Sequence, residues 1–151
     1  MTEDMVFECR AISEGTGEGE VIVSRDAVCF YLVEPTTGEV IEENHDLFGK
    51  NIAGKVLVMP AGKGSSVVQG DGLYKLMMHG KSPRAIVVAQ PDPVLVSCVV
   101  VMEIPMVDRA EPAFCEAVET GDHLYVDAVA GKLVLRHQGG TTTGGEGAEQ
   151  R

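Results

Sequence analysis

The sequence predicts a single α/β domain built from a mixed β-sheet and a few packed helices. Three observations favour this class: short apolar runs fill the first third, strand and helix patterns then alternate, and a hairpin pattern follows. The chain has 151 residues, of which 44% are hydrophobic, so it is long enough to bury one sizeable core. We expect this domain to cover residues 1–138.

Short strands are predicted throughout the amino-terminal third. Residues 6–12 alternate between apolar and polar side chains, which is typical of a half-buried strand. The glycines at residues 15–19 indicate a flexible turn. Residues 20–24 and 28–32 predict two further strands, and residues 39–41 predict a short one.

Strand and helix patterns alternate from residue 55 onward. Residues 55–59 and 85–89 form dense apolar runs that predict strands buried on both faces. Between them the helical pattern starts at Leu73, and Gly80 is its predicted end. Residues 93–102 are apolar apart from one serine, and their length fits either a short buried helix or a strand.

The last elements are a strand, a helix and a hairpin. Residues 105–108 predict a strand entered through a proline, and residues 111–119 predict a short helix with Pro112 in its first turn. A hairpin around Gly131 is predicted next. Residues 139–151 contain no large apolar side chain and predict a disordered tail rich in glycine and threonine.

Composition and charge exclude several functional classes. The net charge of −11 leaves no basic patch to neutralise phosphates, which argues against nucleic-acid binding. The longest apolar stretch, residues 94–102, is far shorter than the roughly 20 residues that span a bilayer. Residues 1–4 are polar and acidic, unlike the start of a secretory signal, so we expect a cytoplasmic protein.

The four cysteines predict neither disulfides nor a metal centre in this chain. Cys9, Cys29, Cys98 and Cys115 are widely spaced, without a C-x-x-C pair. All but Cys9 sit inside apolar runs, so we interpret the cysteines as free thiols used as small core residues. An iron–sulfur cluster held by this chain alone is not expected.

The candidate chemistry lies at residues 55–66, K-V-L-V-M-P-A-G-K-G-S-S. A buried strand leads to a tight turn in which Gly62 and Gly64 let a ligand approach the main chain closely. A helix start presents unpaired N–H groups and partial positive charge, so such a turn binds phosphate or carboxylate. We therefore predict anion binding by Gly62, Lys63, Gly64 and Ser66.

The same environment makes Ser65 a candidate general base. Main-chain donors and the Lys63 cation stabilise its alkoxide, and one such donor is worth about 3–4 kcal/mol when it is lost. Alternatively, Ser65 or Ser66 only caps the following helix, and the motif alone leaves both readings open. The spacing of an ATP-binding P-loop is absent. Gly70 and Gly72 each weaken a helix by about 1 kcal/mol relative to alanine, which favours a helix start later than Ser66.

These residues resemble a known family. A G-K-G-S-S loop after a buried strand is similar to the G-x-G-S-S loop in the swivelling domain of aconitases, where the first serine is the catalytic base. The resemblance is closer to the small subunit of the aconitase X group. Six blocks occur in that group's order, at residues 17–20, 45–49, 52–58, 62–66, 104–108 and 120–122.

The resemblance implies an aconitase-like swivelling β/β/α domain and a hydro-lyase that is active only as a complex. A large subunit would carry the iron–sulfur cluster, and Ser65 of this chain would be the proton acceptor. The implied archaeal reaction removes water from (R)-5-phosphomevalonate to give trans-anhydromevalonate 5-phosphate in the mevalonate route to isoprenoids. Related bacterial pairs dehydrate cis-3-hydroxy-L-proline, and a non-catalytic anion-binding module is a further alternative.

Four other positions bear on the candidate site. Val67 stands where ordinary aconitases have an arginine that binds a substrate carboxylate, which disfavours a citrate-like substrate. His45 is interpreted as a surface residue, with a proton carrier as the alternative. Asp108 is predicted to end a strand rather than line the site. Arg109 is predicted to be solvated surface, with an anion contact as the alternative.

Overall fold

The structure is a computed structural model that describes residues 4–137. The predicted domain boundary at residue 138 and the predicted tail at residues 139–151 therefore lie outside the described residues. Eight strands are present in this part of the chain: β1 Met5–Glu8, β2 Arg10–Ser13, β3 Thr16–Val23, β4 Val56–Met59, β5 Ala85–Val88, β6 Met106–Asp108, β7 His123–Asp127 and β8 Lys132–Arg136. The helices are α1 Ser66–Met78, α2 Pro93–Val101, α3 Pro112–Ala117 and a 3-10 helix at Phe30–Leu32.

All eight strands belong to one mixed sheet, with the order β1-β8-β7-β3-β4-β5-β6-β2. The segment β3-β4-β5-β6 is parallel and the other pairings are antiparallel. β1 and β2 stand at opposite ends of this order, yet Cys9 is the only residue between them. The sheet must therefore curl until its two ends meet, and the predicted single strand at residues 6–12 is in fact two strands. Cys9 marks the break: its N–H donates to the carbonyl of Gly131 at 3.0 Å, which continues the β1–β8 register, and from Arg10 onward the chain pairs with β6 instead.

The sheet separates two apolar cores. Side chains along β4 alternate between them: Val56 belongs to one cluster and Leu57 to the other, as expected for a strand buried on both faces. Helices α1 and α2 cover the core that contains Leu57, while α3 contributes Phe114 to the other. Phe114 meets Phe7 of β1 edge to face, with ring centroids 5.6 Å apart.

The predicted glycine turn at residues 15–19 is present only at Gly15, in the connection between β2 and β3. Gly17 and Gly19 lie within β3 and pair with Val126 and Leu124 of β7. A Cβ at Gly17 would lie 2.5 Å from the carbonyl oxygen of Arg84, so glycine is needed there for close packing rather than for a turn.

The predicted strands at residues 28–32 and 39–41 are also absent as regular strands. Val28 makes one isolated parallel bridge to Gly62, and the chain then enters the 3-10 helix. Residues 39 and 40 form isolated bridges only. Each of these bridges is a single pair to a loop residue, so no continuous ladder forms here.

Helix α1 begins at Ser66, seven residues before the predicted start at Leu73. Gly72 is tolerated because the 3-10 helix packs against it: an added Cβ would lie 2.4 Å from the carbonyl carbon of Phe30. The predicted end at Gly80 is confirmed. Gly80 has φ +69°, and the N–H of Lys81 returns to the carbonyl of Leu76 at 2.7 Å.

Residues 93–101 form helix α2, so of the two predicted alternatives the helix is the one observed. The Asp92 side chain accepts a hydrogen bond from the Leu95 N–H at 2.9 Å, and Pro93 occupies the first turn. Within the described part of the chain, none of the helices has the length and apolar character needed to traverse a bilayer.

Candidate active site

The predicted glycine-rich loop connects the end of β4 to the start of α1. Ser65 is the N-cap of this helix, with an extended backbone (φ −73°, ψ 170°), and its Oγ accepts a hydrogen bond from the Val68 N–H at 3.3 Å. The helix dipole therefore acts at Ser65 itself, because no further turn separates the serine from the first helical residue.

Two glycines give the loop its path. Gly64 has φ +114°, a conformation that side chains with a Cβ rarely adopt. A Cβ at Gly62 would lie 2.8 Å from the Nε2 atom of Gln69. A larger residue would strain the backbone at Gly64, and at Gly62 it would displace the Gln69 amide.

Gln69 anchors the loop from its buried side, and the sequence did not predict this role. Its side chain is only 1% exposed. Its Oε1 accepts from the Phe30 N–H at 2.6 Å and its Nε2 donates to the Val28 carbonyl at 3.3 Å. The only available signal was a polar residue one helical turn after Ser65, on the face that Leu73 and Leu76 bury.

The main chain of the loop is tied to the same neighbouring segment. The N–H of Lys63 donates to the Val28 carbonyl at 3.1 Å, and the Val28 N–H donates to the Ala61 carbonyl at 3.0 Å. Together with the Gln69 amide, these bonds hold residues 61–63 against residues 28–30. Ser65 is therefore exposed on a rigid support rather than on a free loop.

The charge of Lys63 is directed to Glu42. The Lys63 ammonium forms an ion pair with the Glu42 carboxylate, and the two side chains are 45% and 20% exposed. Among the described residues, no contact joins this ammonium to Ser65. The positive charge nearest to the Ser65 hydroxyl is therefore the partial charge on the backbone N–H groups at the start of α1.

The Ser65 hydroxyl faces open surface. Residues 63–67 are all exposed, and the Val67 side chain reaches 76% exposure. The Val68 N–H already points at Oγ, and the N–H groups of the first helical turn have no acceptor within the helix. Such a site can accept a proton from a bound molecule and stabilise the negative charge that precedes the transfer.

His45 is not a surface residue, contrary to the prediction. It is 7% exposed, its Nδ1 accepts from the Leu47 N–H at 2.9 Å, and its Nε2 lies 2.8 Å from the Ala27 carbonyl. A carbonyl accepts only, so Nε2 is the donor in this contact. Both nitrogens serve the fold, which leaves none for a proton relay.

Asp108 ends β6, as predicted, and it does not line a site. Its carboxylate is 2% exposed and binds the Arg10 guanidinium through two contacts, at 2.9 and 2.8 Å. Arg109 follows with φ +53° and an exposed side chain, at the edge of a cleft. Asp108 is therefore buried in an ion pair, whereas the side chain of Arg109 is open to solvent.

The cysteines only partly match the prediction of core thiols. Cys29 and Cys98 are buried, Cys9 is half-buried, and Cys115 is exposed on α3. Burial raises the pKa of the Cys9 thiol to about 11 and raises that of Cys98 as well. Within residues 4–137, the one cluster of potential ligand atoms is Glu119, Asp122 and His137, which contains no thiolate. The described donor set does not fit an iron–sulfur cluster.

Comparison with known proteins matches this architecture to one family. The aconitase X swivel domain matches residues 6–135. The phosphomevalonate dehydratase small subunit of Methanosarcina mazei is 42% identical over 134 residues, which is 88% of this chain and 92% of the relative. The protein of the same name from Thermococcus kodakarensis is 38% identical, covering 89% of this chain and 99% of its own.

A solved structure supports the fold independently. The crystal structure of Thermococcus kodakaraensis aconitase X in its holo-form superposes with a TM-score of 0.78 at 37% identity, covering 87% of this chain and 98% of that one. The prediction of an aconitase-like swivelling β/β/α domain is therefore confirmed. The name "small subunit" of the relatives implies that they assemble with a large subunit. By sequence match, by coverage and by fold, the chain belongs to the aconitase X swivel-domain family.

Proposed function

We propose that this chain is the small subunit of a two-subunit hydro-lyase that dehydrates (R)-5-phosphomevalonate to trans-anhydromevalonate 5-phosphate, with Ser65 as the general base. The reaction belongs to the archaeal mevalonate route to isoprenoids and takes place in the cytoplasm. One observation carries the proposal: the Ser65 hydroxyl is exposed at the start of α1, on an anchored glycine loop. The substrate assignment is supported by the name that the relatives share.

The geometry suits proton abstraction next to a carboxylate. Dehydration of a 3-hydroxy acid requires a base for the proton on the carbon between the carboxylate and the hydroxyl-bearing carbon. Ser65 Oγ takes this proton as an alkoxide, whose charge is stabilised by the Val68 N–H and by the start of the helix. The main-chain N–H groups of Gly62, Gly64 and Ser66 stabilise the anionic groups of the substrate nearby; the N–H of Lys63 is bonded to the Val28 carbonyl, so Lys63 contributes to anion binding through its ammonium.

The departing hydroxide needs a Lewis acid that this chain does not supply. The described residues do not fit an iron–sulfur cluster, so we assign the cluster to the large subunit. Ser65 must then face that subunit across the substrate. This requirement is met by the exposure of residues 63–67, and it makes the isolated chain inactive.

Two alternatives remain to be separated. Val67 places an exposed apolar side chain beside Ser65, which removes the cation that a citrate-like substrate would use. Cis-3-hydroxy-L-proline is the alternative substrate. A non-catalytic anion-binding module is the alternative function, since the cap alone explains the loop without turnover.

The test is an assay of the complex formed with the large subunit from the same genome. Both substrates are offered to the wild-type pair, to a Ser65→Ala pair and to a Ser97→Ala pair as a control on exposed α2 surface. We expect water loss from 5-phosphomevalonate with wild type and Ser97→Ala, and none with Ser65→Ala. Faster turnover of cis-3-hydroxy-L-proline would overturn the substrate assignment. A fully active Ser65→Ala pair would overturn the assignment of Ser65 as the general base.

A further inference from the structure

A second candidate binding feature lies on the same edge of the sheet as Ser65. A cleft of about 190 Å³ opens where the parallel strands β4 and β5 end, at Met59 and Val88. Phe114 and Cys115 of α3 form its other wall. The Ser65 loop leaves this same edge after Met59, so the cleft and the candidate base both lie at the carboxyl ends of the parallel strands.

Arg109 is placed at this cleft by an anchored backbone. It follows the last residue of β6, where Asp108 is fixed by its two contacts with Arg10. Arg109 itself has φ +53°, which is uncommon for a residue with a Cβ and costs conformational energy. Residues in such strained conformations cluster at binding and catalytic sites.

The guanidinium of Arg109 is available to a ligand. The side chain is exposed and lines the cleft. The ion pairs formed within residues 4–137 do not include it. Arg84 and three lysines are likewise outside these ion pairs, so what distinguishes Arg109 is its place beside the apolar lining of the cleft, where a guanidinium without a carboxylate partner favours an oxyanion.

We propose that Arg109 binds an oxyanion of the substrate, its carboxylate or its phosphate, while the aliphatic part of the substrate packs in the cleft. This assignment rests on the proposed function. It makes Arg109 the cation that binds the substrate, a role that an arginine fills in ordinary aconitases at the position of Val67. β4 and β6 flank β5, so the carboxyl ends of these two strands lie roughly 10 Å apart; the Ser65 loop leaves from the first and Arg109 follows the second. The cleft is smaller than a complete small-molecule site, so it holds one end of a ligand and a second protein covers the rest.

The test uses the assembled pair with Arg109→Ala, Arg109→Lys and, as a matched control, Arg84→Ala. Arg84 is also exposed, and it precedes β5 at the opposite end of the sheet. Steady-state kinetics are measured with 5-phosphomevalonate and with mevalonate, which lacks the phosphate. Loss of a charged hydrogen bond predicts a roughly 10- to 100-fold rise in KM for Arg109→Ala, partial rescue by Arg109→Lys and little change for Arg84→Ala.

The two substrates identify which oxyanion is bound. If Arg109 takes the phosphate, the penalty of Arg109→Ala disappears with mevalonate, and if it takes the carboxylate, the penalty persists. Equal KM values for Arg109→Ala and Arg84→Ala would overturn the assignment. So would unchanged kinetics combined with weaker binding of the large subunit, since the cation would then bind a carboxylate of the partner.

A separate measurement keeps this inference distinct from the proposed function. The pair, with this chain labelled in 15N, is titrated with inorganic phosphate and with acetate while the Arg109 Nε–H resonance is followed. We expect a saturable shift with one of the two anions. A wild-type pair that turns over neither substrate would sink the proposed function, whereas an Arg109 signal unmoved by both anions would sink the present inference.

Discussion

The Oγ of Ser65 and the backbone N–H of Val68 are joined by a hydrogen bond of 3.3 Å, so the candidate base is also the cap of helix α1. The two readings of this serine are therefore compatible. In the resting protein this hydrogen bond satisfies an N–H at the helix start that would otherwise be unpaired. During proton transfer the same N–H stabilises the negative charge of the Ser65 alkoxide. Loss of activity on replacing Ser65 could thus arise from the lost hydroxyl or from a frayed helix.

Two substitutions at Ser65 separate these causes. Asparagine is a good N-cap but has no ionisable hydroxyl, so Ser65→Asn keeps the cap and removes the base. We expect both Ser65→Asn and Ser65→Ala to abolish dehydration in the assembled pair. Only Ser65→Ala should lower the free energy of unfolding, by about 1 kcal/mol, as measured by urea denaturation. Appreciable turnover by the asparagine variant would show that the cap, not the hydroxyl, is what matters.

The two glycines of α1 are expected to respond oppositely to alanine. A Cβ at Gly72 would lie 2.4 Å from the backbone of Phe30, whereas a Cβ at Gly70 would meet only the Cys98 sulfur at 3.8 Å. Gly72→Ala should destabilise the protein by about 1–3 kcal/mol or more, because backbone must move. Gly70→Ala should stabilise it by about 0.5–1 kcal/mol, because alanine is the better helix former. Thermal unfolding of both variants is the measurement, and similar melting temperatures would contradict the packing of the 3-10 helix on α1.

This contrast shows why the start of α1 could not be predicted from the sequence. Gly70 and Gly72 look equally unfavourable for a helix, and only tertiary contact shows that Gly72 permits a close approach to Phe30. The strands β4 and β5 are buried on both faces. They were predictable because nearly every residue in them has an apolar side chain. The division of residues 6–12 at Cys9 was not, because it follows from closure of the sheet between strands far apart in sequence.

The candidate site divides in the same way. The glycine loop and Ser65 carry a local pattern, so their positions were predictable. Gln69 and the ring of His45 depend on main-chain atoms of residues 27–30, which no local pattern connects to them. Buried polar side chains of this kind are recognised only when their partners are known.

Gln69 is predicted to be a positioning residue for the loop. Gln69→Met has similar volume but leaves the Phe30 N–H and the Val28 carbonyl without their side-chain partners. The unpaired groups should lower the free energy of unfolding by about 1–3 kcal/mol. Because the support of the loop is lost, we also expect kcat of the assembled pair to fall more than KM rises. Hydrogen exchange at the Phe30 amide provides the independent readout: exchange should accelerate in Gln69→Met, and unchanged exchange would refute the anchor.

The Cys9 thiol gives the fold a defined weakness at alkaline pH. Burial, reinforced by the nearby carboxylates of Glu8, Asp127 and Asp108, raises its pKa from 9.0 to about 11. A pKa raised in the folded state favours the neutral thiol, so its contribution to stability is complete below pH 9 and is lost as pH rises through 11. We expect the free energy of unfolding to fall across this window in wild type and less steeply in Cys9→Ala. At pH 8, iodoacetamide should label exposed Cys115 well before Cys9, as followed by mass spectrometry. Faster labelling of Cys9 would mean that the thiol at the junction of β1 and β2 is neither buried nor held neutral.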